Sequence, residues 1–213
     1  MTKNNQILQI GITGGIGSGK STICKVFKAL DIAVYDADYW AKWLMEHNSS
    51  IKNGLKNTFG VDVYNEKGQL NRSLLSTIVF KDPAQLKELN AIVHPEVFAH
   101  YDQWVATNAS KYPYLIKEAA LMFESNSYKA LHYVINVACP TSIRIARVQK
   151  RDPNRTETEL QSIISKQMSD EERAQLAQKT IHNDGQSGIL QSILDLHHFF
   201  HTPEILKNYA IQG

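Results

Sequence analysis

Cysteine is scarce in this chain. The 213 residues hold two, Cys24 and Cys139, and both are expected as buried, reduced thiols of a cytoplasmic protein rather than as a disulfide framework. Long hydrophobic runs are missing as well: none approaches the roughly 18 residues that a membrane-spanning helix needs. The opening Met1-Thr2-Lys3-Asn4-Asn5-Gln6 reads straight into a strand, and no signal peptide is visible in it. Charge of one sign is also lacking. The 23 basic and 21 acidic side chains leave a formal charge of +2, too balanced for a dedicated nucleic-acid binder. There is no internal repeat, low-complexity tract or linker, so the length fits one medium domain with insertions.

What is present is organised around Gly14-Gly15-Ile16-Gly17-Ser18-Gly19-Lys20-Ser21, which reads G-x-x-x-x-G-K-[ST]. A chance match to its four fixed positions in a chain of this length is on the order of 1%. Ile7 to Thr13 before it is apolar and β-branched enough for a buried strand. After it, Ile23, Val26, Phe27 and Leu30 share one helical face. Strand, glycine loop and helix in that order make a phosphate cradle. Glycines admit close approach of the backbone, successive N–H groups point into one concavity, and the helix adds the positive end of its dipole. Lys20 is suited to the outer phosphates of a nucleoside triphosphate and the Ser21 hydroxyl to a Mg²⁺ shell.

A second strand ends at Asp36-Ala37-Asp38. In an open parallel sheet, ligands bind beyond the carboxyl ends of the strands, which makes both carboxylates candidates for proton transfer or for the metal shell, with helix capping as the alternative. From Tyr39 to about Lys111 the pattern is helical. Trp40, Trp43 and Leu44 fall on one face and are expected in the core. Leu74, Leu75, Ile78 and Val79 mark another helix. Leu86 to Val93 marks a third, which is expected to end at His94-Pro95, with Phe98 to Val105 forming a fourth. So long an insertion after the second strand exceeds one crossover helix and suggests a subdomain.

Pro113 to Glu118 and His132 to Ala138 read as strands three and four. Glu118 at a strand end is either a metal-shell candidate or an ordinary polar terminus. Thr141 to Gln178 is helical and charged, with Arg144, Arg147 and Arg151 on one face. Lys179 to Gly185 reads as a last short strand and turn, and Ile189 to Leu196 as a closing helix. His197-His198-Phe199-Phe200-His201 lacks partners of another type at ligand spacing, so no metal site is expected there.

Taken together, these segments resemble the dephospho-coenzyme A kinase family over most of the chain. The matching residues are Thr13 to Thr22, Asp36-Ala37-Asp38, Phe59-Gly60, the Gly68 to Arg72 segment, Val79-Phe80-Lys81-Asp82 and His94-Pro95. They continue with Arg147, Arg151, Gln167, Arg173 and Ile181-His182-Asn183-Asp184-Gly185. The combination of the loop with the D-A-D tripeptide and the H-P pair is more specific than the loop alone. Two stretches depart from the family's pattern: Ala119-Ala120-Leu121-Met122-Phe123-Glu124 stands where P-L-L-F-E is usual, and Gln178-Lys179 follows Ala177 where an acidic residue is common.

The resemblance implies a P-loop NTPase fold of α/β class, three-layer α/β/α, with a five-stranded parallel sheet. The core would be residues 1–38, 112–140 and 178–213, with a helical substrate-binding insertion at 39–111 and a lid at 141–177. It implies ATP-dependent phosphorylation of the ribose 3′-hydroxyl of dephospho-coenzyme A, with ATP and Mg²⁺ as requirements. By carry-over, Asp38 is the general base, and Lys20 and Arg147 stabilise the phosphates. Gly15, Ile16, Gly17, Ser18, Gly19, Lys20, Ser21 and Thr22 bind nucleotide with Arg147, Arg151, Asn183 and Gly185. Asp38, Arg72 and His94 face the acceptor, and Ser21, with Asp36 as a further candidate, serves the metal. The implied partners are small molecules, dephospho-coenzyme A and ATP, with no nucleic acid and no membrane, in a monomer or small homo-oligomer. The rivals are another small-metabolite kinase, opposed by the insertion after strand two, and a regulatory nucleotide binder, opposed by the intact base and lid arginines. A GTPase switch is opposed by the absence of an N-K-x-D tetrapeptide.

Overall fold

A computed structural model describes residues 7–186, 188–202 and 205–208. Met1 to Gln6, in which no signal peptide is visible, lies outside the described residues. The chain divides into two compact units, Met1–Asp36 with Thr107–Gly213, and Ala37–Ala106.

The first unit is built on five strands, β1 (Leu8–Thr13), β2 (Ala33–Asp36), β3 (Tyr114–Glu118), β4 (Tyr133–Ala138) and β5 (Lys179–His182). They form one sheet in the order β2-β3-β1-β4-β5, every neighbouring pair parallel. This is the five-stranded parallel α/β sheet expected from the sequence. Side chains alternate across it with period two. Leu8, Ile10 and Ile12 of β1, Ile116 of β3, Ile135 and Val137 of β4 and Ile181 of β5 lie in one buried cluster. Helix α1 (Lys20–Ala29) enters that cluster through Ile23, Cys24 and Phe27, and helix α9 (Ile189–Phe200) through Ile193, Leu196 and Phe200. On the other face a Cβ at Gly11 would lie 2.5 Å from the Met122 sulfur and 2.8 Å from Leu131, so the 119–131 segment packs directly on the strand backbone there.

The same alternation places the last residues of two strands. Glu118 follows Tyr114 and Ile116 onto the α1 face, and Asp36 follows Val34, which packs against the same cluster. Asp36 and Glu118 are register partners across β2 and β3. Both cysteines are free and buried, Cys24 within α1 and Cys139 just past β4. His197 of the histidine run meets the buried Tyr114 hydroxyl at 2.6 Å.

Between β4 and β5 run α6 (Thr141–Arg151), α7 (Glu157–Ser165) and α8 (Asp170–Leu176). Helices α7 and α8 each begin with a complete capping box, Thr156 with Glu159 and Ser169 with Glu172. Such a box satisfies two otherwise unpaired N–H groups and fixes where a short helix starts. The charged face expected from Arg144, Arg147 and Arg151 is graded in depth: Arg144 is 4% exposed, Arg147 half-buried and Arg151 exposed.

The second unit is helical: α2 (Ala37–His47), α3 (Ser49–Phe59), α4 (Arg72–Lys81) and α5 (Pro83–Asn108), the last ending just beyond it. Asn48 and Asn71 cap α3 and α4 by accepting from Ile51 and Leu74. The core holds Leu44, Ile51, Leu55, Val63, Tyr64, Leu75, Val93 and Val97.

Two expectations fail in this unit. Helix α5 does not stop at His94-Pro95 but runs through it for 26 residues, so the anticipated third and fourth helices are one. Proline removes only its own N–H and restricts one neighbour; Val93, Val97 and Tyr101 are all buried, and their apolar contacts on both sides carry the helix past the lost hydrogen bond. Trp43, expected in the core beside Leu44, is 38% exposed. Its indole stacks on His47 one turn later, 4.2 Å between centroids and 7° from parallel. Among the described residues no helix is long and apolar enough to cross a membrane.

Candidate active site

The glycine loop spans the six residues between the end of β1 and the start of α1. The Ser18 amide donates to the Gly15 carbonyl at 3.1 Å, which curls the chain back on itself. Gly19 caps α1 with φ 98°, a left-handed conformation open to glycine at no steric cost. Lys20 is 9% exposed, and its ammonium donates to the Gly14 and Gly15 carbonyls at 2.9 and 3.2 Å. The lysine therefore lies folded over the loop it serves, with two of its three donors on main-chain oxygen.

Two residues from late in the chain converge on the same loop. The Asn183 side-chain amide donates to the Ser18 carbonyl at 2.8 Å, and Arg147 donates to that carbonyl and to the Asn183 side-chain oxygen, each at 3.4 Å. Arg147 also approaches the Cys139 sulfur at 3.3 Å. Burial pushes the Cys139 thiol up, with the neighbouring guanidinium groups opposing it. Of the residues assigned to nucleotide, Ser18, Lys20, Arg147 and Asn183 are thus brought together. Gly185 stands near Arg147, since a Cβ there would lie 4.0 Å from the guanidinium. Arg151 is exposed at the end of α6, and its side chain makes no hydrogen bond or ion pair to the loop.

The carboxylate group of the site lies at the ends of β2 and β3. The Ser21 hydroxyl donates to Glu118 Oε1 at 3.1 Å. Burial, reinforced by the charge of Asp36, holds the Glu118 carboxyl above its usual range against hydrogen bonds from Cys24 and Ser21 and the charge of Lys20. Glu118 is the strand-end residue for which sequence left two readings open, a metal shell or an ordinary polar terminus, and in the structure it contacts the Ser21 hydroxyl. Ser21, Asp36 and Glu118 offer only oxygen, two carboxyl groups beside a hydroxyl. That donor set suits a hard divalent cation such as Mg²⁺.

Three assigned residues belong to the helical unit. Asp38 is exposed in the first turn of α2. Arg72 pairs with Glu46 at 2.8 Å on the surface of that unit, a type of ion pair that contributes about 0–1 kcal/mol. His94 is half-buried in α5, its ring 5.9 Å from that of Phe98.

Arg144 and Gln167 were not assigned to the site by sequence, yet both contact it. Arg144 Nε donates to the Ile16 carbonyl at 2.9 Å, and the Gln167 side-chain oxygen accepts from the Ile16 amide at 3.0 Å. Sequence places Arg144 on the face of Arg147 and Gln167 among the residues of the family resemblance, but spacing along the chain gives neither its partner at Ile16. A cavity of about 740 Å³ opens behind them, lined among others by Cys139, Arg144, Asp170, Thr180 and His182, with none of Gly14 to Ser21 in its wall.

The strand order sets the loop-bearing β1 at the centre of a parallel sheet, and a lysine-closed glycine loop in that position defines a nucleotide-binding protein of the P-loop class. Comparison with known proteins narrows the class. The family model described as dephospho-CoA kinase matches residues 8–188, and the chain belongs to that family. It is 35% identical to the dephospho-CoA kinase of Mannheimia succiniciproducens over 193 residues, covering 88% of this chain and 89% of the relative. It is 33% identical to that of Bacteroides fragilis over 189 residues, covering 89% and 91%. Among solved structures, one from Thermus thermophilus is similar with a TM-score of 0.77 and 31% identity, covering 91% of this chain and 95% of that one. The dephospho-CoA kinase of Campylobacter jejuni shares the fold, with a TM-score of 0.66 at 23% identity over 94% and 98%.

Proposed function

We propose that this chain transfers the γ-phosphoryl group of ATP to the ribose 3′-hydroxyl of dephospho-coenzyme A, giving coenzyme A and ADP. The observation that carries the reading is the family match across residues 8–188. Phosphoryl transfer asks a protein mainly for positioning and charge stabilisation, and the loop chemistry supports that demand. The loop amides other than that of Ile16, which Gln167 already accepts from, bind the β- and γ-phosphates, and Lys20 exchanges its carbonyl acceptors for phosphate oxygens. Arg147 adds a second cation from the lid, residues 141–177, while Asn183 and Gly185 border the nucleotide and Arg151 closes the lid over it.

Asp38 accepts the proton of the attacking hydroxyl in this reading. It is an exposed carboxylate two residues past the carboxyl end of β2, where parallel sheets bind ligand. The helical insertion holds the acceptor, with Arg72 turning from Glu46 to an acceptor phosphate and His94 beside it. Ser21, Asp36 and Glu118 would hold Mg²⁺, which when bound neutralises charge on the β- and γ-phosphates.

The test is to incubate the protein with ATP and Mg²⁺ and, side by side, dephospho-coenzyme A, nucleoside monophosphates and sugar acids. The expected result is one added phosphoryl group on dephospho-coenzyme A alone, by mass, at the 3′ position by phosphorus NMR. Phosphorylation of another acceptor with dephospho-coenzyme A left unchanged overturns the reading.

A further inference from the structure

The backbone of Ile16 in the middle of the glycine loop is held on both sides of its Cα, at the Gly15–Ile16 and the Ile16–Gly17 peptides, by side chains from the α6–α8 segment. Its N–H is taken by the Gln167 side-chain oxygen at 3.0 Å, and its C=O by Arg144 Nε at 2.9 Å. The two gripping groups also bind each other, Arg144 donating to the same Gln167 oxygen at 3.3 Å. The glycines around Ile16 leave room for this. A Cβ at Gly15 would collide with the Arg144 guanidinium, and one at Gly17 would lie 2.5 Å from the Arg144 carbonyl. Gly15 thus makes room for the Arg144 side chain and Gly17 for the Arg144 backbone.

Behind the clamp stands a second row. Asp170 pairs with Arg144 at 3.5 Å and accepts from Arg173 at 2.7 Å. Arg173 is fully buried with Nε and one terminal nitrogen unpaired. A guanidinium in that setting holds its carboxylate partner firmly, because letting go would leave the buried cation unpaired and away from water.

We infer that Gln167 and Arg144 are positioning residues of the phosphate cradle. They hold the two peptide units that flank the Ile16 Cα in one orientation before nucleotide arrives, with Asp170 and Arg173 bracing the arginine. An amide already occupied by Gln167 does not turn toward a phosphate, so the remaining loop amides present a single preset concavity. Preorganised donors of this kind cost no reorganisation at binding. The inference rests on the reading of Gly14 to Ser21 as a triphosphate cradle.

The experiment compares the wild type with Gln167→Leu, which keeps bulk but removes the acceptor, and Gln167→Glu, which restores an acceptor oxygen. Hydrogen exchange of the Ile16 amide is measured without nucleotide, together with ATP affinity, kcat and both KM values. The expected result is a protected Ile16 amide in the wild type, loss of that protection in Gln167→Leu, and ATP affinity weaker by about 10-fold there, the equivalent of one hydrogen bond. The acceptor KM stays within about 2-fold, the rescue expected of a positioning role rather than a structural one comes with Gln167→Glu, and the two effects return together. ATP binding and Ile16 exchange unchanged in Gln167→Leu overturn the inference. If that variant does not fold, a wild-type Ile16 amide exchanging as fast as an exposed loop amide overturns it, and a slow one that stays slow in Gln167→Glu supports it. A wild type that binds no ATP sinks the cradle reading instead, which the exchange measurement distinguishes.

Discussion

The Asn183 amide stands 2.8 Å from the Ser18 carbonyl and ties the turn after the last strand to the phosphate loop 165 residues earlier in the chain. Asn183 is 8% exposed and Ser18 fully buried, so water cannot replace the bond. Asn183→Ala should destabilise the protein by about 1–3 kcal/mol, toward the lower end because Arg147 still reaches the same carbonyl. Denaturant unfolding measures that loss, and calorimetric titration should show weaker ATP binding alongside it. Unchanged values in both would mean that the turn does not support the loop.

Asp38→Asn separates binding from chemistry. The substitution keeps shape and removes the base, so turnover should fall by about 10²–10⁴-fold, with ATP affinity near the wild-type value. Full turnover in the variant removes Asp38 from the role.

Glu118 carries a pH prediction with a definite sign. Its folded carboxyl is held above the usual range by burial and by Asp36. The stability it contributes is therefore present below the ordinary carboxyl range and is lost as pH rises through the raised folded value. Glu118→Gln keeps an acceptor for Ser21 and removes the buried charge. Its melting temperature should match the wild type in acid and exceed it at neutral pH, while Mg²⁺-dependent activity falls. A wild type more stable than the variant at neutral pH would contradict the assignment.

His132 has the opposite sign. The Gln9 amide donates to His132 Nδ1 at 3.0 Å, and the His132 amide returns a bond to the Gln9 carbonyl at 2.9 Å. Burial holds the imidazole below the ordinary histidine value of 6.5. Its contribution is present above that value and is lost as pH falls from it through the folded value, because protonated Nδ1 can no longer accept from Gln9. His132→Asn offers an oxygen acceptor that does not titrate there. The fall in melting temperature that the wild type shows on acidification through this range should be shallower in the variant.

Much of this molecule is legible in the chain because the signals are local. The apolar, β-branched runs of Leu8 to Thr13 and Tyr133 to Ala138 mark buried strands. The glycine loop declares its turn through residues that tolerate left-handed backbone, as Gly19 does. Where reading failed, a local rule met a non-local contact. Proline punctuates helices in isolation, but the apolar contacts of Val93 and Val97 keep α5 continuous through Pro95. An aromatic beside Leu44 reads as core, yet Trp43 finds its partner in His47 at the surface.

The amino-acid sequence alone determined the cradle, the strand succession, the helical insertion and the family, since each is written in short patterns that hold wherever the segment lies. Only the tertiary structure decided the depth of three arginines on one helix, the pairing of Ser21 with Glu118, and the hold of Arg144 and Gln167 on Ile16. Those contacts join residues 97, 128 and 151 positions apart. No periodicity spans such distances; the packing of one segment against another sets them, and it alone determines which donor faces which acceptor.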